Sequence, residues 1–311
     1  MSFTAEVREE LARVEPTCPD CDKAELAAIV RTQGTIGLSG GGRTRLEIAT
    51  EIASVARVAI RMLHDVYGLE TELTVRRNVL HRTHNYLITV PGQLALSEAL
   101  HDLGMLGDEG FMGGVPQKLV AKKCCAAAYL RGMFLVGGYI ADPHGDFHFE
   151  LTTASESLAR DVVELMKRHD IDARSIRRHN TYTIYLKGAE HIISFLVFVG
   201  AQKSALVMES ARVIKSVRND TNRRVNAEIA NQNKASEAAL KQIESIRILI
   251  ENDELDDLPA SLREIALLRL RNPDTSLKDL GELANPPLSK SAVYHRLLRI
   301  NAIAEGVARE V

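Results

Sequence analysis

The sequence lacks any long hydrophobic run. No stretch approaches the roughly 18 apolar residues that a membrane-crossing helix needs, which excludes a bilayer span. The N-terminus has no basic-then-apolar leader either. Glu6, Glu9 and Glu10 stand where a signal peptide would carry bases, so the expected location is the cytoplasm, on the nucleoid. Net charge of one sign is also missing. The formal charge is −2, so the chain is no uniformly basic nucleic-acid coat, and any DNA contact must come from local clusters. Tryptophan is absent and aromatics make up 5%, which says little about function. What remains, 45% hydrophobic and 26% charged over 311 residues, suits two or three globular domains, each able to bury a core.

Cysteine is scarce: Cys18, Cys21, Cys124 and Cys125. Cys18-Pro19-Asp20-Cys21 has the spacing of half a zinc site, and Cys124-Cys125 could supply two further ligands. Against that, adjacent cysteines rarely both point at one metal, and Cys124-Cys125 opens an Ala-rich apolar helix where small residues pack. The expectation is four free thiols, no metal and no cofactor.

An internal repeat organises the first two-thirds. Leu26-Ala27-Ala28-Ile29-Val30-Arg31-Thr32-Gln33-Gly34 aligns without gaps on Leu130-Arg131-Gly132-Met133-Phe134-Leu135-Val136-Gly137-Gly138, an offset of 104. A turn and an alternating strand follow each: 45–50 after Ser39-Gly40-Gly41-Gly42, and 148–153 after Asp142-Pro143-His144-Gly145-Asp146. Amphipathic helices come next, near 54–67 and 157–169, then hairpins (72–77 with 85–90; 175–178 with 182–186) and closing helices at 93–103 and 189–199. The order is the same twice: helix, two strands, helix, two strands, helix. This predicts a duplicated α+β module packed about a pseudo-twofold axis, with Ala28, Gly34, Gly132 and Gly137 allowing close backbone approach.

The two aligned helices resemble the LAGLIDADG motifs of homing endonucleases. Leu26-Ala27-Ala28 and Leu130-Arg131-Gly132 match the opening, and Gly34 and Gly138 the closing glycine. In active members an acid precedes that glycine and binds the divalent cations that cleave DNA. Here Gln33 and Gly137 occupy those places, and neither is an anionic ligand. The resemblance implies a DNA-binding scaffold without the chemistry. Both hairpins carry positive or ionisable groups: Arg76, Arg77, His81, Arg82 and His84 in the first, Arg174, Arg177, Arg178 and His179 in the second. Their recurrence in both copies points to nucleic-acid contact rather than to a merely solvated edge.

Residues 203–240 read as a basic helical linker. From Lys203 to Arg224 there are six bases, including Arg218, Arg223 and Arg224, against two acids. The polar run Asn219-Asp220-Thr221-Asn222 predicts a break between two helices, and the stretch is either a basic arm near DNA or a solvated spacer.

The last domain, 241–311, predicts helices at 241–252, 261–271, 276–284 and 289–300. Leu277, Leu280 and Leu283 form an apolar stripe, Asn285-Pro286-Pro287 breaks the chain, and Ser289 caps the next helix. There Val293, Leu297 and Ile300 share one face, and Ser291, His295 and Arg299 the other, with Lys290 and Tyr294 near the start. No acid stands between Glu282 and Glu305. Such a face after a tight turn is what a recognition helix needs, and Ser289, Lys290, Ser291, Tyr294, His295, Arg296, Arg299 and Lys278 are the expected DNA-binding residues.

Taken together, the domain limits are 1–104 and 105–202 for the LAGLIDADG-like repeats (two αββαββα units), then the linker and an all-α helix-turn-helix domain. The whole chain resembles one family, the sporulation transcription regulator WhiA family. Its most specific stretches are Tyr129-Leu130-Arg131-Gly132-Met133-Phe134-Leu135-Val136-Gly137-Gly138-Tyr139-Ile140-Ala141-Asp142-Pro143 and Leu288-Ser289-Lys290-Ser291-Ala292-Val293-Tyr294-His295-Arg296-Leu297-Leu298-Arg299-Ile300. The resemblance implies a non-enzymatic regulator acting on promoters for sporulation septation and cell division. It also implies double-stranded DNA as partner, together with a sporulation sigma factor, RNA polymerase and other sporulation regulators. Two alternatives stand beside it: an active endonuclease using other acids such as Asp142 and Asp146, and an adaptor that holds a sigma factor or polymerase and touches DNA only incidentally.

Overall fold

The structure, a computed structural model, describes residues 2–39, 43–78, 83–107 and 110–310. It opens with α1 (Phe3–Leu11), capped by the Ser2 hydroxyl, which accepts from the Ala5 amide. The first repeat is α2 (Pro19–Gln33), β1 (Gly34–Ser39), β2 (Arg43–Thr50), α3 (Ala53–Tyr67), β3 (Glu72–Asn78), β4 (Thr83–Val90) and α4 (Leu94–Asp102). A short hairpin, β5 (Leu106–Gly107) and β6 (Gly110–Phe111), leads into the second. That repeat is α5 (Lys123–Gly137), β7 (Gly138–Ile140), β8 (Phe149–Thr153), α6 (Glu156–Lys167), β9 (Ala173–Arg178), β10 (Thr181–Leu186) and α7 (Ala189–Val199).

The two four-stranded antiparallel sheets have the same order, β1-β2-β4-β3 and β7-β8-β10-β9. Alternation along the strands drives Leu46, Ile48, Ile88 and Val90 to one face of the first sheet, and Phe149, Leu151, Ile184 and Leu186 to the matching face of the second. All eight are buried. Between the sheets lie α2 and α5. Residues 24–30 are buried without interruption, as are 128–135, which is why neither helix shows the one-sided stripe of a surface helix.

The two helices touch because small residues let them. A Cβ at Gly132 would stand 2.4 Å from the Glu25 carbonyl oxygen and 3.0 Å from the Ala28 Cβ. Close approach buries a charged pair across the seam. Arg131 Nη2 lies 2.6 Å from Glu25 Oε2, and Arg131 Nη1 donates to the Val199 carbonyl at 3.2 Å. Both side chains are almost fully enclosed. The sequence pattern gave no warning of this pair.

The region read as a two-helix linker is one helix, α8 (Gln202–Glu251), with no break at Asn219-Asp220-Thr221-Asn222. Its first turns are not linker: Ala205 and Met208 lie in the core of the N-terminal unit, whereas every residue from 216 to 238 is exposed. By compactness the chain divides at 215/216 into two units, Met1–Lys215 and Ser216–Val311. The second unit continues with α9 (Ala260–Arg271), α10 (Leu277–Glu282) and α11 (Lys290–Glu310), the last running ten residues beyond its expected end. Its separate core holds Ile246, Leu249, Leu262, Ile265, Leu280, Val293, Leu297 and Ile300.

Candidate nucleic-acid interface

The helix pair α10 and α11 is built by local devices. Ser276 caps α10, its hydroxyl accepting from the Asp279 amide at 3.3 Å. Gly281 then lets the chain fold back: the Leu288 amide donates to the Gly281 carbonyl at 2.9 Å, and a Cβ at Gly281 would lie 2.3 Å from the Leu288 oxygen. Ser289 caps α11, its hydroxyl accepting from the Ala292 amide at 3.2 Å. The fully buried Arg269 fastens the approach to α10, donating to the carbonyls of Pro273 (3.2 Å) and Thr275 (2.7 Å). Burial lowers its affinity for the proton. Sequence reasoning missed Arg269. The signal was there: a lone arginine within Leu267-Leu268-Arg269-Leu270.

Val293, Leu297 and Ile300 are buried as expected, and Ser289, Lys290, Ser291, Tyr294, His295 and Arg299 are exposed. The Tyr294 and His295 rings meet edge-on at 5.6 Å. Two residues of the expected set have neighbours within the domain. Arg296 is half-buried, and its Nη1 reaches back to the Ser261 carbonyl at 3.4 Å. Lys278 is exposed but stands 3.9 Å from Glu282. The stripe of α10 also needs correcting: Leu280 and Ala284 are buried, whereas Leu283 is 53% exposed, because two successive steps of three residues drift off the core face while the step of four from Leu280 to Ala284 returns to it.

In the N-terminal unit, Gln33 ends α2 with an exposed side chain, and Gly137 ends α5. The two positions are not equivalent sterically. A Cβ at Gly137 would lie 2.9 Å from the Thr152 carbonyl oxygen and 3.3 Å from Thr32 Cγ2. Asp142 is exposed and committed to its own turn, accepting from the His144 amide at 2.8 Å and pairing with His144 Nδ1 at 2.9 Å. Those bonds hold its carboxyl below the usual range.

The basic hairpins present their arginines differently from a single positive patch. Arg76 pairs with Asn85 and Arg77 with His84, so neighbouring arginines point to opposite faces of the sheet. In the second hairpin Arg177 is opposite Tyr182 and Arg178 opposite Thr181, with the same division. Arg178 is 3.0 Å from Glu150. The guanidinium of Arg177 lies 5.9 Å from the Tyr182 ring centre. Arg82 and His81 lie outside the described residues. On α8, Arg218, Arg223 and Arg224 are exposed, and Arg223 pairs with Asp220.

The expectation that Cys124 and Cys125 diverge is not met. At the first turn of α5 both turn toward Cys18 and Cys21, and the four sulfurs lie within 4.8 Å of one another. Among the described residues no helix is long and apolar enough to cross a membrane.

Three family models match the chain: the WhiA N-terminal LAGLIDADG-like domain over residues 19–106, the WhiA LAGLIDADG-like domain over 126–218 and the WhiA C-terminal HTH domain over 221–304. The chain is 41% identical over 312 residues to the probable cell division protein WhiA of Heliobacterium modesticaldum, covering 100% of this chain and 98% of that one. It is 43% identical over 308 residues to the protein of the same name from Desulforamulus reducens, covering 98% and 96%. Among solved structures it is similar to full-length DUF199/WhiA from Thermatoga maritima, with TM-score 0.60, 25% identity and 98% of each chain covered. Two LAGLIDADG-like domains followed by a helix-turn-helix domain, with relatives that match from end to end, lead to one statement: the chain belongs to the WhiA family.

Proposed function

We propose that the protein is a sequence-selective DNA-binding transcription regulator that does not cut DNA, with α11 as the helix that enters the major groove. One observation carries the reading. The first three turns of α11 hold Ser291, Tyr294, His295 and Arg299 exposed on one side and Val293, Leu297 and Ile300 buried on the other. Hydroxyl, imidazole and guanidinium groups donate to base acceptors and phosphates, and no carboxylate interrupts them. Gln33 and Gly137 at the acid positions support the non-cleaving half of the proposal. Arg76, Arg77, Arg177, Arg178, Arg218, Arg223 and Arg224 are proposed as phosphate contacts, which position the protein without reading sequence.

The name shared by the relatives, probable cell division protein, supports cell-division promoters as targets. On the family resemblance, sporulation septation genes as further targets, a sporulation sigma factor and RNA polymerase as partners, and a place on the cytoplasmic nucleoid are part of the same proposal.

The test is binding of the full chain to a labelled promoter library with Mg²⁺ present, the DNA being checked for cuts. Arg299→Ala and Tyr294→Ala each remove about 1–3 kcal/mol of base discrimination while leaving non-specific affinity largely in place. Unchanged selectivity in both variants moves the reading surface away from α11. Mg²⁺-dependent cutting overturns the non-enzymatic part.

A further inference from the structure

We propose that Cys18, Cys21, Cys124 and Cys125 form a structural zinc site that fastens the two LAGLIDADG-like repeats together at the N-terminal ends of their central helices. Cys18 is the N-cap residue just before α2, and Cys21 lies in its first turn; Cys124 and Cys125 lie in the first turn of α5. The Cys18 sulfur is 3.5 Å from that of Cys21, 3.7 Å from that of Cys124 and 3.6 Å from that of Cys125, and the Cys124 and Cys125 sulfurs are 4.0 Å apart. A zinc ion bound tetrahedrally by four thiolates at about 2.3 Å sets its sulfurs about 3.8 Å apart. Four of the six sulfur–sulfur edges are therefore already close to those of that tetrahedron, the other two lie within 4.8 Å, and all four thiols are free of disulfides.

The surroundings agree with the charge that such a site carries. Four thiolates around Zn²⁺ leave a net charge of −2. Two helix N-termini, with their unpaired amides and positive dipole ends, converge on it. Lys122 and Lys123 flank it in sequence, and Lys122 reaches across to Asp20 at 2.7 Å. Cys21 and Cys125 are buried, and Cys18 and Cys124 half-buried, so the ion would be closed off by its ligands, as structural zinc is. An iron–sulfur cluster places cysteines on different irons and needs a wider spread of sulfurs, which favours a single ion.

The repeat explains the location. With the offset of 104, Cys21 and Cys125 occupy the same position in the two copies. Their sulfurs lie within 4.8 Å of each other, as equivalent residues beside the pseudo-twofold axis must. Cys18 corresponds to Lys122, and Cys124 to Asp20; these two mates form the ion pair beside the cluster. Each copy thus gives one symmetric ligand and one asymmetric ligand.

The experiment uses full-length protein prepared without a metal-binding tag and kept reduced. Metal analysis is expected to find one zinc per chain, released when the thiols are modified. Exchange with Co²⁺ is expected to give the intense thiolate-to-cobalt absorption of a tetrahedral four-sulfur site. Cys18→Ser/Cys124→Ser alters the two more accessible ligands and is expected to lose the metal while keeping its helical circular dichroism. The same variant is expected to melt at lower temperature and to be indifferent to chelator, whereas wild type loses stability on chelation. Reduced protein with four freely titrating thiols, no metal and no Co²⁺ spectrum overturns the site. A coloured protein with stoichiometric iron overturns zinc as the ion. If the serine variant fails to fold, the metal content and Co²⁺ spectrum of wild type still decide.

Discussion

The two repeats share an order of elements and a sheet topology, yet their central helices have divided the work at the seam between them. Glu25 of the first copy stands where the second has Tyr129; Arg131 of the second stands where the first has Ala27. The charged pair therefore forms only on one side of the axis, and among the described residues the hydroxyl of buried Tyr129 has no hydrogen-bond partner. Ala28 and Gly132 differ by a methyl that only one side can house. Duplication supplied a symmetric frame, and asymmetric substitutions then made each half complete only beside the other.

The largest effect expected from breaking this asymmetry comes from the charged pair. Arg131→Met alone leaves Glu25 buried and unpaired and is expected to cost about 3–5 kcal/mol of stability in urea unfolding. Glu25→Leu/Arg131→Met removes both charges and should recover most of that loss. A double variant as unstable as the single one would mean that the seam depends on the ion pair itself. The small residues come next. Gly132→Ala forces a methyl against the Glu25 carbonyl and is expected to cost about 1–3 kcal/mol. Its counterpart Ala28→Gly costs about 1 kcal/mol, mainly through backbone entropy. Equal losses would show the helices to be further apart than described.

The acid positions give a third comparison, readable by thermal melts. Gln33→Asp adds a carboxylate to an exposed helix end and is expected to cost below about 1 kcal/mol. Gly137→Asp must push its Cβ away from Thr152 and is expected to cost about 1–3 kcal/mol. Smallest is the effect of the hairpin arginines. Arg76→Ala and Arg178→Ala are each expected to flatten the salt dependence of DNA binding by about one unit of slope, without changing sequence preference. A change in preference from either would make that hairpin a reader of bases.

Much of this organisation was legible in the sequence. The repeat, the strand alternation and the turn signals Ser276, Asn285-Pro286-Pro287 and Ser289 each rest on local chemistry, and those elements lie within a few residues of their expected limits except for the end of α11, which runs ten residues further. What was not legible depended on the third dimension. Asn219-Asp220-Thr221-Asn222 reads as a break because those residues prefer turns, but the helix is held from both ends by residues in the two cores. The meeting of Cys18 with Cys124 and Cys125 required knowing that equivalent helix ends touch. The division of Arg76 from Arg77, and of Arg177 from Arg178, could have been read from alternation alone.

The long helix α8 also has a kinetic side. Its ends are packed, but from 216 to 238 every residue is exposed, so its opening is opposed mainly by hydrogen bonds along the backbone, local propensity and the exposed i,i+3 pair of Asp220 and Arg223. That stretch includes Asn219, Asn222, Asn226, Asn231 and Asn233, all poor helix formers. Amide exchange and proteolytic nicking are therefore expected to start in the middle of an otherwise continuous rod. Cleavage there would leave each unit with its own core, so the stretch that links the units in sequence is where the chain is expected to be cut first.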